Sequence, residues 1–478
     1  MLEAIWGRVL SKEVNGGRVP LLKTQPPQGH GRVLNDTFLA AIGKKMPSTT
    51  PKTPSEFAES YRGRKRIEYR KAAEHLSRHP LSIADAVIKL FLKFEKDVRS
   101  QKPNRIPRVI LPPRPTYTVE TGRFVHGMEK LIYRMVDEMF GFPVVSKGRN
   151  YRQVAQIIID HWQQFARPCA VDCDVSKMDQ SITKEILEMI FDLLGKCAGV
   201  DEAYLRRILQ WTAETRVKGR ADDGFFDYQQ EGTLSSGMCY TSLVGVLVVT
   251  GAVYLFWKRT GIKIRLVDAG DDFTLFFDAK DLPIVQTELS EEFRRLGLTL
   301  EVGEPVHDVE RIEFCQTHPI KVGGEYLMVR NARAAAAKDA VSLKRRDTPM
   351  AAYAWLKACG MAGMASQGGT PIATARYQMM LRSAESIRGA QRLRRRQERR
   401  YDQAVKLVEI EGSFTHFGAG LDLTSQPIDD MARYTFYLAF GIAPSLQRAL
   451  ESEYDGITLT MDKVHDVQAS PMRVWDAV

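Results

Sequence analysis

Cysteine is scarce in this sequence, and spacing pairs none of it. The 478 residues hold six cysteines (Cys169, Cys173, Cys197, Cys239, Cys315, Cys359) and no Cys-x-x-Cys. That excludes a dense disulfide framework and points to a reducing compartment. An apolar targeting segment is missing too. Glu3, Arg8, Lys12 and Glu13 interrupt residues 1–14, so no secretory signal is expected. No internal repeat has a solenoid period. The composition, 44% hydrophobic and 26% charged, excludes global disorder, and the length predicts two to four folding units. Long uncharged runs are rare. One, residues 234–257, covers 24 positions and is long enough to cross a bilayer. Ser235, Ser236, Gly237, Thr241, Ser242, Gly245, Thr250 and Gly251 interrupt it, and it has no second candidate to pair with. It reads as a buried helix of a large domain, and no transmembrane segment is expected. Acids are the minority charge: 68 Lys and Arg against 58 Asp and Glu give a net +10. That favours an anionic partner, whether nucleic acid, nucleotide or membrane surface.

What is present divides the chain. Residues 1–54 carry breakers (Asn15-Gly16-Gly17, Pro26-Pro27, the stretch from Pro47) and read as a loosely ordered N-terminal extension. Residues 55–78 read as a basic helix, with Arg62, Arg64, Lys65, Arg66, Arg70 and Lys71 as a candidate polyanion-binding face. Residues 80–100 read as an amphipathic helix. Residues 103–116 hold five prolines and predict an extended loop or edge strand. Helical periods return over 119–141 and 184–197. Residues 168–175 have strand character, and 262–278 predict a β-hairpin turning at Ala269-Gly270-Asp271-Asp272. Beyond about residue 340 helices dominate, and the run 388–400 is rich in arginine with one acid, Glu398. Helical ends around a stranded middle predict an α+β fold.

The candidate chemistry lies in acids at strand ends. Asp172, Asp174 and Asp179 follow the first strand, and Asp271 and Asp272 sit at the hairpin turn. A lone Asp-Asp at a turn is ordinary turn chemistry. Two such clusters in one domain suit hard divalent cations, Mg2+ or Mn2+, if their strands are neighbours. A pair of such ions about 3.5–4 Å apart activates a hydroxyl and stabilises a leaving pyrophosphate oxygen. The clusters lie 271 − 174 = 97 positions apart, so spacing alone does not join them. Between them, residues 231–241 form a small, hydroxylated lead into the apolar helix. They read equally as a phosphate- or sugar-contacting junction and as a plain N-cap by Ser235 or Ser236. His307, Cys315 and His318 read as a packed strand and turn rather than a zinc site.

These residues resemble the RNA-dependent RNA polymerases of positive-strand RNA viruses, most closely the tombusvirus-like group. Asp174-Val-Ser-Lys-Met-Asp179 resembles motif A, Ser236-Gly237-x-x-x-Thr241 motif B, and Ala269-Gly270-Asp271-Asp272 motif C. Residues 312–320 resemble motif E, and Arg105 to Arg108 through Arg114 the basic motif F. Residues 328–339, 368–371 and 437–444 are also similar to that group, so the likeness runs over about residues 55–455.

The resemblance implies a right-hand fold: fingers over 55–165 and 196–230, an antiparallel palm over 166–195 and 231–330, and a thumb with the C-terminal region over 331–478. It implies two Mg2+ or Mn2+ ions on Asp174 and Asp271, supported by Asp272. Asp179 would approach the ribose 2′-hydroxyl, and Ser236, Gly237 and Thr241 would lie near sugar and template. Arg108 and Arg114 would neutralise the triphosphate of the incoming NTP. Implied partners are RNA template and product, NTPs, and viral or host replication factors, in replication complexes of the host cytoplasm, with any membrane association peripheral. A replication scaffold without catalysis and a reverse transcriptase are the alternatives. Intact acids oppose the first, and Asp179 at the ribose position opposes the second. Two positions depart from the pattern. Gly245 replaces the usual Asn of motif B, which predicts that Thr241, Ser242 or a water fills its place and that Gly245→Asn is tolerated or sharpens the preference for ribonucleotides. Glu301 stands near the usual motif D lysine, so no general acid is assigned.

Overall fold

The computed structural model describes residues 2–14, 17–20, 29–93, 95–96, 106–221, 224–339, 341–343, 346–387 and 427–460. Arg105 and the arginine-rich run 388–400 lie outside them. The chain is a mixture of helix and strand, and the strand pairings of its sheets are antiparallel. It divides into two compact units, Met1–Lys93 with Ile106–Ser146 and Phe165–Pro305, and Phe94–Arg105 with Lys147–Gln164 and Val306–Val478.

The basic stretch of the first unit is two helices, Pro54–Glu59 and α1 (Gly63–Arg78), rather than one. Thr53 and Glu56 form a reciprocal capping box on the shorter one. Helix α2 (Pro115–Phe140) opens with its proline at the first position and stops at Gly141, whose φ of 77° suits a residue without a side chain. Helix Lys184–Cys197 falls where the periodicity puts it. Residues 80–93 do not form the helix expected over 80–100. Ser82 and Asp85 cap a short turn, Ile83–Ala86, and the chain then runs extended. Ile88 exchanges backbone hydrogen bonds with Arg216 and Lys218, and Phe91–Leu92 pairs with Val109–Ile110. Pairing with distant backbone overrides the local apolar period.

The centre of this unit is a four-stranded sheet. Strands β1 (Pro168–Ser176), β2 (Ile264–Asp268), β3 (Asp272–Asp278) and β4 (Thr299–Val302) lie in the order β4-β1-β3-β2. Every residue from Phe273 to Phe277 is buried, so β3 is covered on both faces. Helix α3 (Thr241–Thr260) is the uncharged run, and its residues from Leu243 to Val253 are buried. By length and composition it is the one described helix able to cross a membrane, but most of it is enclosed by protein.

The N-terminal residues correct the sequence reading. Residues 30–45 are helical, not loosely ordered, and Leu34, Phe38, Leu39 and Ile42 are buried in the main core. Gly251 on α3 admits them: a Cβ there would lie 2.4 Å from Leu34 Cδ1 and 3.1 Å from Phe38 Cδ1.

The second unit is built on the hairpin of Thr317–Val322 and Glu325–Arg330 and on helices Tyr151–Trp162, Pro349–Gln367, Ala373–Ser386, Asp430–Phe440 and Pro444–Gly456. Ile320, Val322, Leu327 and Val329 share a core with Tyr353, Leu356 and Tyr377. This hairpin therefore lies in the same compact unit as the C-terminal helices, and that unit takes up the chain again at Val306.

Candidate active site

Strand pairing joins the acidic clusters. Register sets Asp174 on β1 opposite Asp272 on β3, and the Val175 amide donates to the Asp271 carbonyl at 3.1 Å. On the other side of β1, Glu301 on β4 is the partner of Asp174. Residues directly opposite in an antiparallel sheet share a face, so Glu301, Asp174 and Asp272 form one acidic rung across three strands. Asp174 and Asp271 are exposed and Asp272 is half-buried. Asp271 reaches its place through the hairpin turn, where Gly270 has a φ of 104°. Asp172 belongs to the frame instead: its Oδ1 accepts from Thr274 Oγ1 at 2.6 Å.

Asp179 is the second residue of the short helix Met178–Ser181, which follows Lys177 in left-handed conformation. Burial, and next the negative charge of Asp271, push its carboxyl up to about 7. Between the ordinary carboxylate value and about 7, the folded protein keeps a proton that the unfolded chain has released. This group therefore withdraws stability as pH rises through that window.

The motif B loop is closed by local bonds. Leu234 N–H donates to the Asp179 carbonyl at 2.7 Å, and Thr241 Oγ1 donates to the Ser235 carbonyl at 2.7 Å. Tyr240, not Ser235 or Ser236, precedes α3, and it gives no side-chain cap. Ser236 Oγ donates to the Val109 carbonyl at 3.4 Å. A Cβ on Gly237 would lie 2.6 Å from both Cα and N of Pro112, so backbone contact demands glycine there. Ser236 and Gly237 thus meet residues 109–112, which run between Arg108 and Arg114. Both arginines are exposed. Arg114 caps α2, donates its N–H to the Asp85 carbonyl at 3.2 Å, and holds Nη1 4.0 Å from Asp85 Oδ1. Burial raises the Asp85 carboxyl, but hydrogen bonds from Ser82 and Thr116 and the Arg114 charge outweigh it and hold it low.

Gly245 is not a gap. A Cβ there would lie 2.8 Å from Met178 Cε and 3.7 Å from Gly270 Cα. Met178, the residue before Asp179, occupies the space. An Asn at 245 requires the Met178 methyl, the end of a flexible side chain, to move aside.

Among the basic candidates, Arg62, Arg64 and Lys65 are exposed at the start of α1, and Lys65 lies over the Tyr61 ring. Arg66 is paired with Glu59 at 3.0 Å. His318 is buried with Nδ1 3.2 Å from the Glu310 carbonyl, while Cys315 is exposed.

The donor set can be tested against divalent metal. Among the described residues, no group of three His, Cys, Asp or Glu side chains forms a ready-made cage. Mg2+ does not need one, because it keeps several waters and takes one or two carboxylates plus substrate phosphates. Hard oxygen donors on Asp174 and at the turn before β3 fit that requirement. Sequence reasoning missed two features of the site: Glu301 as a member of the rung, and Met178 as the filler beside Gly245. Alternation over 299–302 is too short to fix which strand β4 pairs with.

The chain is similar to known proteins over most of its length. The RNA-directed RNA polymerase of Melon necrotic spot virus is 31% identical over 407 residues, 85% of this chain and 50% of its own length. That of Oat chlorotic stunt virus is 33% identical over 422 residues, 87% of this chain and 55% of its own. That of Tobacco necrosis virus strain D is 33% identical over 457 residues, 95% of this chain and 61% of its own. The chain spans about half the length of the first two relatives. A family model described as viral RNA dependent RNA polymerase matches residues 11–462, nearly the whole chain, and the protein belongs to that family.

Proposed function

We propose that this chain copies an RNA template, transferring nucleotides from NTPs to an RNA 3′-hydroxyl. The observation that carries the reading is the rung that sets Asp174 against Asp272, with Asp271 at the turn beside it. Asp174 and Asp271 would hold two Mg2+ or Mn2+ ions, with Asp272 in support. Bound there, such ions would supply positive charge to stabilise the attacking and leaving oxygens. Asp179 accepts the ribose 2′-hydroxyl, and Ser236, Gly237 and Thr241 line the sugar side. Arg108 and Arg114 hold the triphosphate, as planar, permanently charged donors suit. In this reading the four-stranded sheet is the palm of a right hand, with helical fingers and thumb. RNA template and product, viral or host replication factors and a cytoplasmic replication complex go with this reading, with peripheral membrane association through partners. The test is run-off synthesis on a generic RNA with Mg2+ or Mn2+. Labelled product that EDTA abolishes supports a polymerase; a folded chain that binds RNA and makes none is a scaffold.

The basic face supplies a second test. Single-strand affinity falls with salt by about 0.7 in log K per log salt for each phosphate neutralised. Replacing Arg62, Arg64 and Lys65 by Ala should flatten that slope by about two units if all three contact phosphate. Adding Arg66→Ala should change it less, because Arg66 is half-buried and shares the Glu59 carboxylate with Arg70. An unchanged slope would assign the cluster to a solvated helix face.

Sugar choice supplies a third. Above about pH 7, where Asp179 is ionised, a hydrogen bond to it as a charged acceptor is worth about 1.5–3 kcal/mol, or roughly ten- to hundred-fold in kcat/KM. Asp179→Ala should therefore lower ribonucleotide use far more than deoxynucleotide use. Gly245→Asn should blunt the same preference by moving Met178, and Gly245→Ala should do so less, because the Met178 methyl can swing aside. Matched ribo- and deoxynucleotide kcat/KM values decide it. Equal losses for both sugars in Asp179→Ala would make Asp179 a structural acid.

A further inference from the structure

An N-terminal segment outside the catalytic motifs touches two of the pieces from which the site is made. Residues 2–10 form two short helical turns, Leu2–Ile5 and Trp6–Leu10, and lead into strand Ser11–Val14. The segment is anchored: Ala4, Ile5, Val9 and Ser11 are buried, and Ser11 Oγ donates to the Trp6 carbonyl at 2.6 Å.

Arg8 reaches from it across the sequence. Its Nε and Nη2 both donate to the carbonyl of Ile106, at 3.1 and 2.8 Å. Ile106 stands two residues before Arg108. Beyond that point the chain is held by other partners, since Lys93 N–H donates to the Arg108 carbonyl at 2.8 Å and Val109–Ile110 pairs with Phe91–Leu92. Arg8 thus fixes the near side of the strand that presents Arg108.

Three residues on, the Ser11 carbonyl accepts from Lys177 Nζ at 2.8 Å. Lys177 lies between Asp174 and Asp179 with φ 50° and ψ 40°. Such a conformation in a residue with a side chain persists only where its surroundings impose it. The Lys177 carbonyl accepts from the amides of Gln180 and Ser181 at 2.9 and 3.1 Å, so Lys177 starts the turn that carries Asp179.

We infer that residues 2–14 are a positioning strap for the active site. One stretch of backbone, through Arg8 and the Ser11 carbonyl, sets the segment bearing Arg108 and the loop bearing Asp179 relative to each other. Arg8 and Lys177 are positioning residues: each acts through the backbone it holds. The inference rests on the polymerase reading. Its distinctive consequence is coupling between Ile106, held by Arg8, and Lys177, held by the Ser11 carbonyl.

Small misplacement of a substrate-binding group costs up to about a hundredfold. Arg8→Ala should raise KM for NTPs about tenfold, with a smaller change in kcat and unchanged RNA affinity. Arg8→Lys, which keeps one donor, should recover part of that loss. Lys177→Met should act in the same direction. The double variant Arg8→Ala/Lys177→Met should lose less than the product of the single losses, because both act through one strap. Amide hydrogen exchange gives a readout independent of activity: Arg8→Ala should speed exchange at 106–110 and also at 177–181, with the thermal midpoint near that of the parent. Parental KM in Arg8→Ala, multiplicative losses in the double variant, or faster exchange confined to 106–110 would overturn the strap. Losses that follow only a lower folded fraction would make Arg8 a packing residue and would overturn it as well. A parent chain that folds and synthesises nothing would instead overturn the polymerase reading, while the exchange experiment would still decide whether the two segments are coupled.

Discussion

Asp271→Asn and Asp174→Asn should each reduce RNA synthesis by about a thousandfold or more, equivalent to ~4 kcal/mol of transition-state stabilisation. Asn keeps the volume of Asp and removes its charge, so an ion held there loses a hard anionic donor. Both positions are exposed, and register is set by backbone pairing, so the fold should survive. RNA affinity should remain within about twofold, because cations rather than these acids supply it. Glu301→Gln separates the rung from the metal site. Its strand position is opposite Asp174, away from the turn that brings Asp271, and its loss should be smaller. Primer-extension rates with RNA binding measured in parallel check all three. Near-parental turnover in either aspartate variant would remove the metal assignment.

Asp339→Ala should destabilise the second unit by about 3–5 kcal/mol. Asp339 is fully buried, and both of its oxygens lie 3.2 Å from Arg330 Nη1. Tyr377 donates to Oδ2 at 2.8 Å, and Arg376 Nη2 is 3.5 Å from the same oxygen. Arg376 is 2% exposed. Burial acts to lower its pKa, but the Tyr377 hydroxyl oxygen, which accepts from Arg376 Nη2 at 2.8 Å, and the Asp339 carboxylate outweigh that and raise it. Two guanidinium groups share this one carboxylate, so truncation leaves buried positive charge with its compensation removed. Asp339→Asn should cost less, because an amide oxygen still accepts from Tyr377. Urea unfolding curves for the parent and both variants measure the difference. A cost for Asp339→Ala within about 1 kcal/mol of the parent would mean that water or relaxation reaches the cluster.

The local elements that stand on their own periodicity were legible in the sequence. Helix Lys184–Cys197 shows one apolar face, and the hairpin of β2 and β3 shows two apolar strands around a glycine turn. Partner choice was not legible. The 97 positions between Asp174 and Asp271 are closed by the pairing of β1 with β3, and that pairing rests on burial of Val171, Cys173, Phe273 and Leu275 together in one core. Residues 80–100 have a helix-like apolar spacing, but Ile88 and Phe91 find strand partners far along the chain. Residues 30–45 follow turn-forming sequence and yet dock, because Gly251 lets Leu34 and Phe38 approach α3. Glycines in the apolar helix carry no sign in the sequence of which neighbour needs the space. Gly245 is the clearest instance: its absent side chain is matched by Met178, a residue 67 positions earlier (245 − 178).

The most direct measurement is single-nucleotide extension of a primed RNA by this chain, with the templating base set in turn to each of the four. With Mg2+ or Mn2+, the nucleotide added should follow the template base, ribonucleotides should be preferred, EDTA should abolish the reaction, and Asp271→Asn should abolish it equally. Extension that ignores the template base, or that proceeds unchanged in Asp271→Asn, would contradict the account.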